Sequence, residues 1–287
     1  MRLEDLDLDP AAAAQWKLLR DKGVVIPKQP KVLLQIQKLS QAPDYQPRHL
    51  AALIRQDPGL SARLLYIVNS PAYGLVEAIE NIENAVLLLG CERALNLCRA
   101  VLLREVFVPL TPALEIFWDR SAIIAELTAA VSYRQRVGVS SDLAYMTGLF
   151  HACGVAVLAK AIPGYETALA DEATWLNLAA HDRKFGVDHV LVGYLVSRYW
   201  RLPEQAAQVV RQQHGYVGCP PDCSCHERCA GEGVAINGCA GLVASLQLAL
   251  LIYCRTFLCS RDSEWEATRA SALDTLGMSE EVLGHFA

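Results

Sequence analysis

Asp57-Pro58-Gly59-Leu60-Ser61-Ala62-Arg63-Leu64-Leu65-Tyr66-Ile67-Val68-Asn69-Ser70 carries the helix signals that recur along the whole chain. Asp followed directly by Pro is a helix start. The carboxylate accepts one of the N–H groups left over in the first turn, and Pro at the first helical position gives up no hydrogen bond. Leu60, Leu64, Leu65 and Val68 then return at helical spacing and share one face. Pro71 disfavours helical geometry in the residue before it, so Asn69-Ser70-Pro71 closes the helix. The same grammar runs outward in both directions.

Towards the N-terminus, Asp7–Lys22 reads as a helix ending at Gly23, Pro27–Pro30 as a turn before a helix through Leu39, and Arg48–Gln56 as a short helix. Towards the C-terminus, Ile82–Leu89 stops at Gly90 and Arg93–Phe107 follows. Pro109-Leu110-Thr111-Pro112 marks a boundary at which Thr111 caps a new helix. Helices are then expected over Ala113–Val137, Asp142–Ala161, Glu172–Phe185, Asp188–Trp200, Pro203–His214 and Val234–Phe257, with a short one near Glu264–Leu276. No strand alternation or internal repeat is present. The reading is an all-α chain: an N-terminal helical extension (1–26), a first helical subdomain (27–110), and a second (111–287) carrying a Cys-rich loop at 217–233.

Composition agrees. Of 287 residues 53% are hydrophobic and 20% charged, so the chain can bury a sizeable core. A net charge of −5 argues against a dedicated nucleic-acid binder, which carries a basic face. The acidic start, MRLEDLDLDP, lacks the cationic and apolar regions of a signal peptide, which implies a cytoplasmic protein. Leu143–Ala161 and Val234–Cys259 are apolar but carry His151, Asn237, Gln247 and Arg255. They read as core helices, not membrane spans.

Several motifs in order and spacing resemble the HDOD family. These are the Asp57–Ser70 run with Ile54-Arg55-Gln56 before it, and Ile82-Glu83-Asn84-Ala85-Val86-Leu87-Leu88-Leu89-Gly90. They continue with Phe117-Trp118, Gly148-Leu149-Phe150-His151-Ala152-Cys153-Gly154, Gly186-Val187-Asp188-His189-Val190-Leu191-Val192-Gly193 and Trp200-Arg201-Leu202-Pro203. The resemblance spans roughly Pro27 to His214. It implies two packed helical subdomains, the second similar to the metal-dependent HD phosphohydrolases, and a role as a bacterial signalling output domain. A regulatory protein partner in a two-component or second-messenger pathway is expected, with no membrane partner.

In those hydrolases a metal between helices activates water, held by histidines and aspartates. Carried over residue by residue, the resemblance puts Arg120 at the early His position and His151-Ala152 at the His-Asp pair. It leaves the Gly241–Leu250 helix without the late Asp. Further histidines of the HD-GYP phosphodiesterases correspond to His189 and His214, with Gln213 in place of the first of a His-His pair. Three imidazoles survive without a carboxylate ligand, and an Arg beside them would repel a cation. A non-enzymatic protein follows, with no catalytic residue. His151 is expected as a satisfied histidine on a buried helix and His189 as facing solvent or a subdomain seam; a residual three-His Zn2+ site of His151, His189 and His214 is the lesser reading, since no carboxylate that would orient the rings is evident. The alternative is a divergent HD-type hydrolase of a nucleotide or cyclic dinucleotide using His151, His189 and His214. Arg63, Asn69 and Tyr73 are the candidates for a groove between the halves that takes a protein or small ligand.

The loop Cys219-Pro-Pro-Asp-Cys223-Ser-Cys225-His226-Glu-Arg-Cys229 departs from that family pattern. Its C-x3-C-x-C-x3-C spacing is too tight for an ordinary zinc finger. It suits a compact thiolate site for Zn2+ or Cu+, a redox-active pair, or a Cys-rich insertion with no ion; spacing alone leaves these open. Cys91, Cys98, Cys153, Cys254 and Cys259 are expected as small buried hydrophobes in helices.

Overall fold

A computed structural model of the chain describes residues 8–42, 44–69, 75–108, 111–135, 137–169, 171–215 and 236–285. Every regular element among them is helical. The chain divides into two compact units, one of Pro27–Pro109 and one of Met1–Ile26 with Leu110–Ala287. The N-terminal helix therefore belongs with the second half of the sequence.

The smaller unit holds α2 (Lys31–Leu39), α3 (Pro47–Ile54), α4 (Pro58–Val68), α5 (Ile82–Leu89) and α6 (Cys91–Glu105). Asp57 caps α4 through its carboxylate, 3.0 Å from the Leu60 N–H, and Ser61 ties the helix back to the Ile54 carbonyl at 2.9 Å. Leu60, Leu64 and Val68 are fully buried, while Leu65 is half-exposed at the edge of that face. Gly90 separates α5 from α6 with a φ of 77°, which a side chain would strain. α3 packs on α5, and α4 lies against both α5 and α6, so the apolar faces of these short helices cover one another.

The larger unit begins with α1 (Pro10–Asp21) and resumes at α7 (Pro112–Arg134), capped by Thr111. It continues with α8 (Ser141–Phe150), α9 (Cys153–Ala161), α10 (Tyr165–Ala168), α11 (Glu172–Leu176), α12 (Leu178–Phe185), α13 (His189–Tyr199), α14 (Glu204–Gln212), α15 (Ile236–Phe257) and α16 (Arg269–Leu276). Single turns of 3-10 helix cover Glu264–Thr268 and Glu280–His285. α7 packs along α8 and α15, α9 along α13, and α13 along α14.

Three expectations for this unit are corrected. The helix expected over Asp142–Ala161 is two helices, because the His151 ring intrudes on the ladder. Its Nδ1 lies 2.6 Å from the Gly148 carbonyl, the acceptor that a continuous helix would offer to residue 152. The helix expected over Glu172–Phe185 also breaks, at Asn177, whose side chain caps α12 through the Ala180 N–H at 2.8 Å. The short helix near Glu264–Leu276 begins as a 3-10 turn and becomes α-helical only at Arg269.

Two apolar stretches, Ser141–Ala161 and Cys239–Phe257, pass a length and composition test for membrane spans. The first is interrupted at His151, and the two are 83% and 72% buried within the protein, as core helices are. Among the expected buried thiols, Cys98, Cys153 and Cys254 are buried, and burial pushes them up to about 12, 12 and 11. Such thiols are poor nucleophiles. Cys91 is only half-buried, and Cys259 is exposed beyond the end of α15, so the expectation fails for both.

Candidate functional site

α9 and α13 approach so closely that a Cβ on Gly154 would stand 2.0 Å from the His189 carbonyl oxygen and 2.6 Å from the Gly193 nitrogen. This crossing brings the start of α13, with His189, to the α8–α9 break, with His151. α14 packs on α13 and delivers Gln213 and His214 just past its end.

His189 is fully buried, which excludes the solvent-facing half of the expectation, because it starts a helix pressed against α9. It is also oriented by a carboxylate, contrary to expectation. One oxygen of Asp182, on α12, accepts from the His189 backbone N–H at 2.6 Å and lies 2.7 Å from the ring Nδ1. The other oxygen accepts the Tyr165 hydroxyl at 2.7 Å. Burial would raise the Asp182 carboxyl, but the His189 charge and these bonds hold it below the ordinary carboxylate value. Burial would likewise lower His189, yet Asp182, with smaller help from Glu264 and Asp188, raises it above an ordinary histidine.

The Nε2 atoms of His189 and His214 face each other at 3.4 Å, their rings nearly perpendicular. His214 stacks on Trp265, centroids 4.7 Å apart, and its Nδ1 lies 3.7 Å from Glu264. Glu264 in turn accepts the Leu178 and Ala179 N–H groups at 3.1 and 3.4 Å, where the α12 N-terminus has unpaired donors. Burial raises the Glu264 carboxyl, and it pushes His214 down to about 3 with help from His189 and His151. The proton placement that suits every neighbour has a cationic His189 donating Nδ1–H to Asp182 and Nε2–H to a neutral His214.

His151 is buried and lowered to about 4, by burial first and by the charge of His189 after it. Its backbone carbonyl accepts the Gln213 side-chain amide at 2.8 Å, and Gln247 on α15 donates to the Gln213 and Gly215 carbonyls at 2.8 and 2.7 Å. His151 is buried and its Nδ1 is bonded, as expected, but it sits at the break between α8 and α9 and not on a helix. Arg120 is buried, with its guanidinium carbon 4.6 Å from the Trp175 ring centre, and burial lowers it. Glu172 is the carboxylate that acts on it in the opposite direction.

An HD-type metal centre is what the sequence resemblance implies, and the donor chemistry present does not fit one. Ala152 has no ligand atom, and Gln213 bonds to a backbone carbonyl. No set of three His, Cys, Asp or Glu donors that could hold a metal ion comes together among the described residues. Hard divalent cations require oxygen ligands, and the two carboxylates nearby are both engaged with N–H donors.

Asp182, Tyr165, Glu264 and Trp265 escaped the sequence reading. The dipeptide His181-Asp182, seven residues before His189, was the available signal for the first. Nothing local pointed to the others. In the smaller unit Arg63 is exposed, and Asn69 clamps the backbone of Ile79, donating to its carbonyl at 2.9 Å and accepting its N–H at 2.7 Å. Tyr73 lies outside the described residues, as do Cys219, Cys223, Cys225 and Cys229.

An all-helical domain in which two histidines meet between an aspartate and a glutamate is the class that fold and site define. The chain belongs to the HDOD family: the HDOD domain profile matches residues 26–216. It is 28% identical over 203 residues to an uncharacterized protein of Treponema pallidum (strain Nichols), covering 69% of this chain and 39% of that one. The chain thus spans well under half of that relative's length.

Among solved structures it is similar to an HDOD domain protein of unknown function from Geobacter sulfurreducens. The TM-score is 0.64 at 21% identity, over 95% of this chain and 93% of the other. It is also similar to a provisionally named phosphohydrolase from Shewanella amazonensis SB2B, with a TM-score of 0.62 at 19% identity over 94% and 91%. A provisionally named signal transduction protein from Marinobacter aquaeolei VT8 has a TM-score of 0.68 at 17% identity over 100% and 65%. At these identities the likeness is one of fold.

Proposed function

We propose that this chain is a non-catalytic regulatory domain that binds a protein partner or small ligand in a bacterial two-component or second-messenger pathway, in the cytoplasm. One observation carries the reading. Gln213, where the resemblance places a ligand imidazole, ties its amide to the carbonyl of His151, and the neighbouring Ala152 is buried without a polar atom. In this reading Gln213 serves to lock the end of α14 onto the α8–α9 break rather than to hold a metal. The name of the Marinobacter protein is in keeping with regulation, and that of the Shewanella protein with the rival hydrolase.

Turnover of nucleotides and cyclic dinucleotides in the presence of Mn2+ or Fe2+ separates the two. The regulatory reading expects none above background. Turnover that disappears in both His151→Ala and His189→Ala would establish a divergent hydrolase in its place. Control by Zn2+, Cu+ or redox state at the cysteine loop is the finer part of the proposal. It is tested by metal content before and after Cys223→Ser with Cys225→Ser, on protein purified without oxygen. An unchanged content removes a metal ion at the loop from the mechanism.

A further inference from the structure

Helix α1 lies ahead of the residues that the family profile matches, 26–216, yet with its flanking residues it touches each of the three helices that assemble the histidine cluster. Lys22, just past its end, donates to the carbonyls of Phe185 and Gly186 at 2.9 and 2.8 Å, at the C-terminus of α12, which carries Asp182. Gln15 donates to Asp188 at 3.1 Å, and the other oxygen of Asp188 caps α13 through the Leu191 N–H, one residue from His189. Asp9 pairs with Arg211 on α14, two residues before Gln213 and three before His214. The Arg211 guanidinium also lies over the Tyr194 ring of α13, 5.1 Å from its centre. The three polar contacts therefore end at the elements carrying Asp182, His189 and His214.

Beneath them only Ala12, Trp16 and Leu19 of the helix are buried. A helix of 12 residues is marginal by itself in water, so α1 is helical because it is docked. Its polar contacts are exposed, apart from the partly buried Gln15–Asp188 bond, and individually weak. An element held by one aromatic, one leucine and a few surface bonds opens more readily than the core helix α15.

We propose that α1 is a detachable strap through which a signal reaches the histidine cluster. Docked, it holds α12, α13 and α14 in the arrangement that seats Asp182, His189 and His214 together. Released, it frees the start of α13 and the end of α14, and the two imidazoles separate. The proposal concerns how the cluster is set, and it holds whether the cluster serves a partner or a substrate.

The test is amide hydrogen exchange on the full chain together with NMR of the imidazole nitrogens, comparing wild type with the double variant Gln15→Ala, Lys22→Met. Both replaced residues lie outside the cluster. The expected result is α1 exchange accelerated about tenfold relative to α15, with the His189 and His214 ring signals shifting together. Accelerated α1 exchange with both ring signals in place would overturn the proposal, since α1 would then be only a cover. Should the variant fold poorly, native-state exchange of the wild type in rising urea decides the same question. Opening of α1 well below the urea at which α15 opens, with the ring signals changing in that range, supports it; simultaneous opening refutes it.

Discussion

The Nε2 atoms of His189 and His214 lie 3.4 Å apart, with Asp182 behind one ring and Glu264 near the other. Two imidazoles at that distance share one proton comfortably and resist a second, because like charges that close repel strongly in a poorly solvated site. The raised His189 and the depressed His214 express this arrangement.

Asp182 is the anchor of this group, so Asp182→Asn should be costly although it changes little volume. The variant offers one acceptor oxygen where the carboxylate serves the His189 backbone, the His189 ring and the Tyr165 hydroxyl. Leaving a buried cationic imidazole without its partner costs about 3 kcal/mol. Urea unfolding at neutral pH measures the loss, and NMR titration should show His189 falling back toward or below the ordinary histidine value.

Acid should unfold the larger unit in a way traceable to His151. That group is depressed to about 4 in the fold and titrates near 6.5 when unfolded, so only the unfolded chain takes up the proton as pH falls between those values. Stability therefore declines through that window, by on the order of 3 kcal/mol from this residue. His214 acts in the same direction. His189, being raised, acts in the opposite sense: its contribution is complete below about 6.5 and disappears as pH rises through its folded value. Replacing His151 with Leu should flatten the acid slope measured by urea midpoints between pH 6.5 and 4.5.

The α9–α13 crossing gives a paired prediction. Gly154→Ala drives a methyl group into the His189 carbonyl and should cost about 3 kcal/mol or more, since backbone must move. Gly193→Ala meets a Val210 methyl at 3.2 Å, which can rotate away, and should cost about 1 kcal/mol. Thermal unfolding ranks the two, and only the first should disturb the His189 ring signals.

Gln213→Ala should destabilise the protein by about 1–2 kcal/mol by leaving the buried His151 carbonyl without its donor. Asn69→Ala, on the exposed clamp to Ile79, should cost closer to 1 kcal/mol and should speed amide exchange at Ile79 alone.

Helix starts such as Asp57-Pro58, Thr111-Pro112 and Asp188-His189 were legible in the sequence because a cap acts within three or four residues of itself. The all-α class and the family followed from such local signals repeated in order. His151, His189 and His214 were legible too, as members of motifs. What each histidine does was decided by tertiary structure. Glu264 meets the start of α12 across 86 positions of sequence, Gln213 meets His151 across 62, and Asp182 reaches His189 because a turn folds α12 back on α13. Even the break between α8 and α9 arises from a ring bonding to the carbonyl three residues back, which periodicity does not register. Hydrophobic spacing determined which faces would be buried. Only the packing of those faces determined which polar groups would meet inside, and so in which direction each histidine's proton affinity shifts.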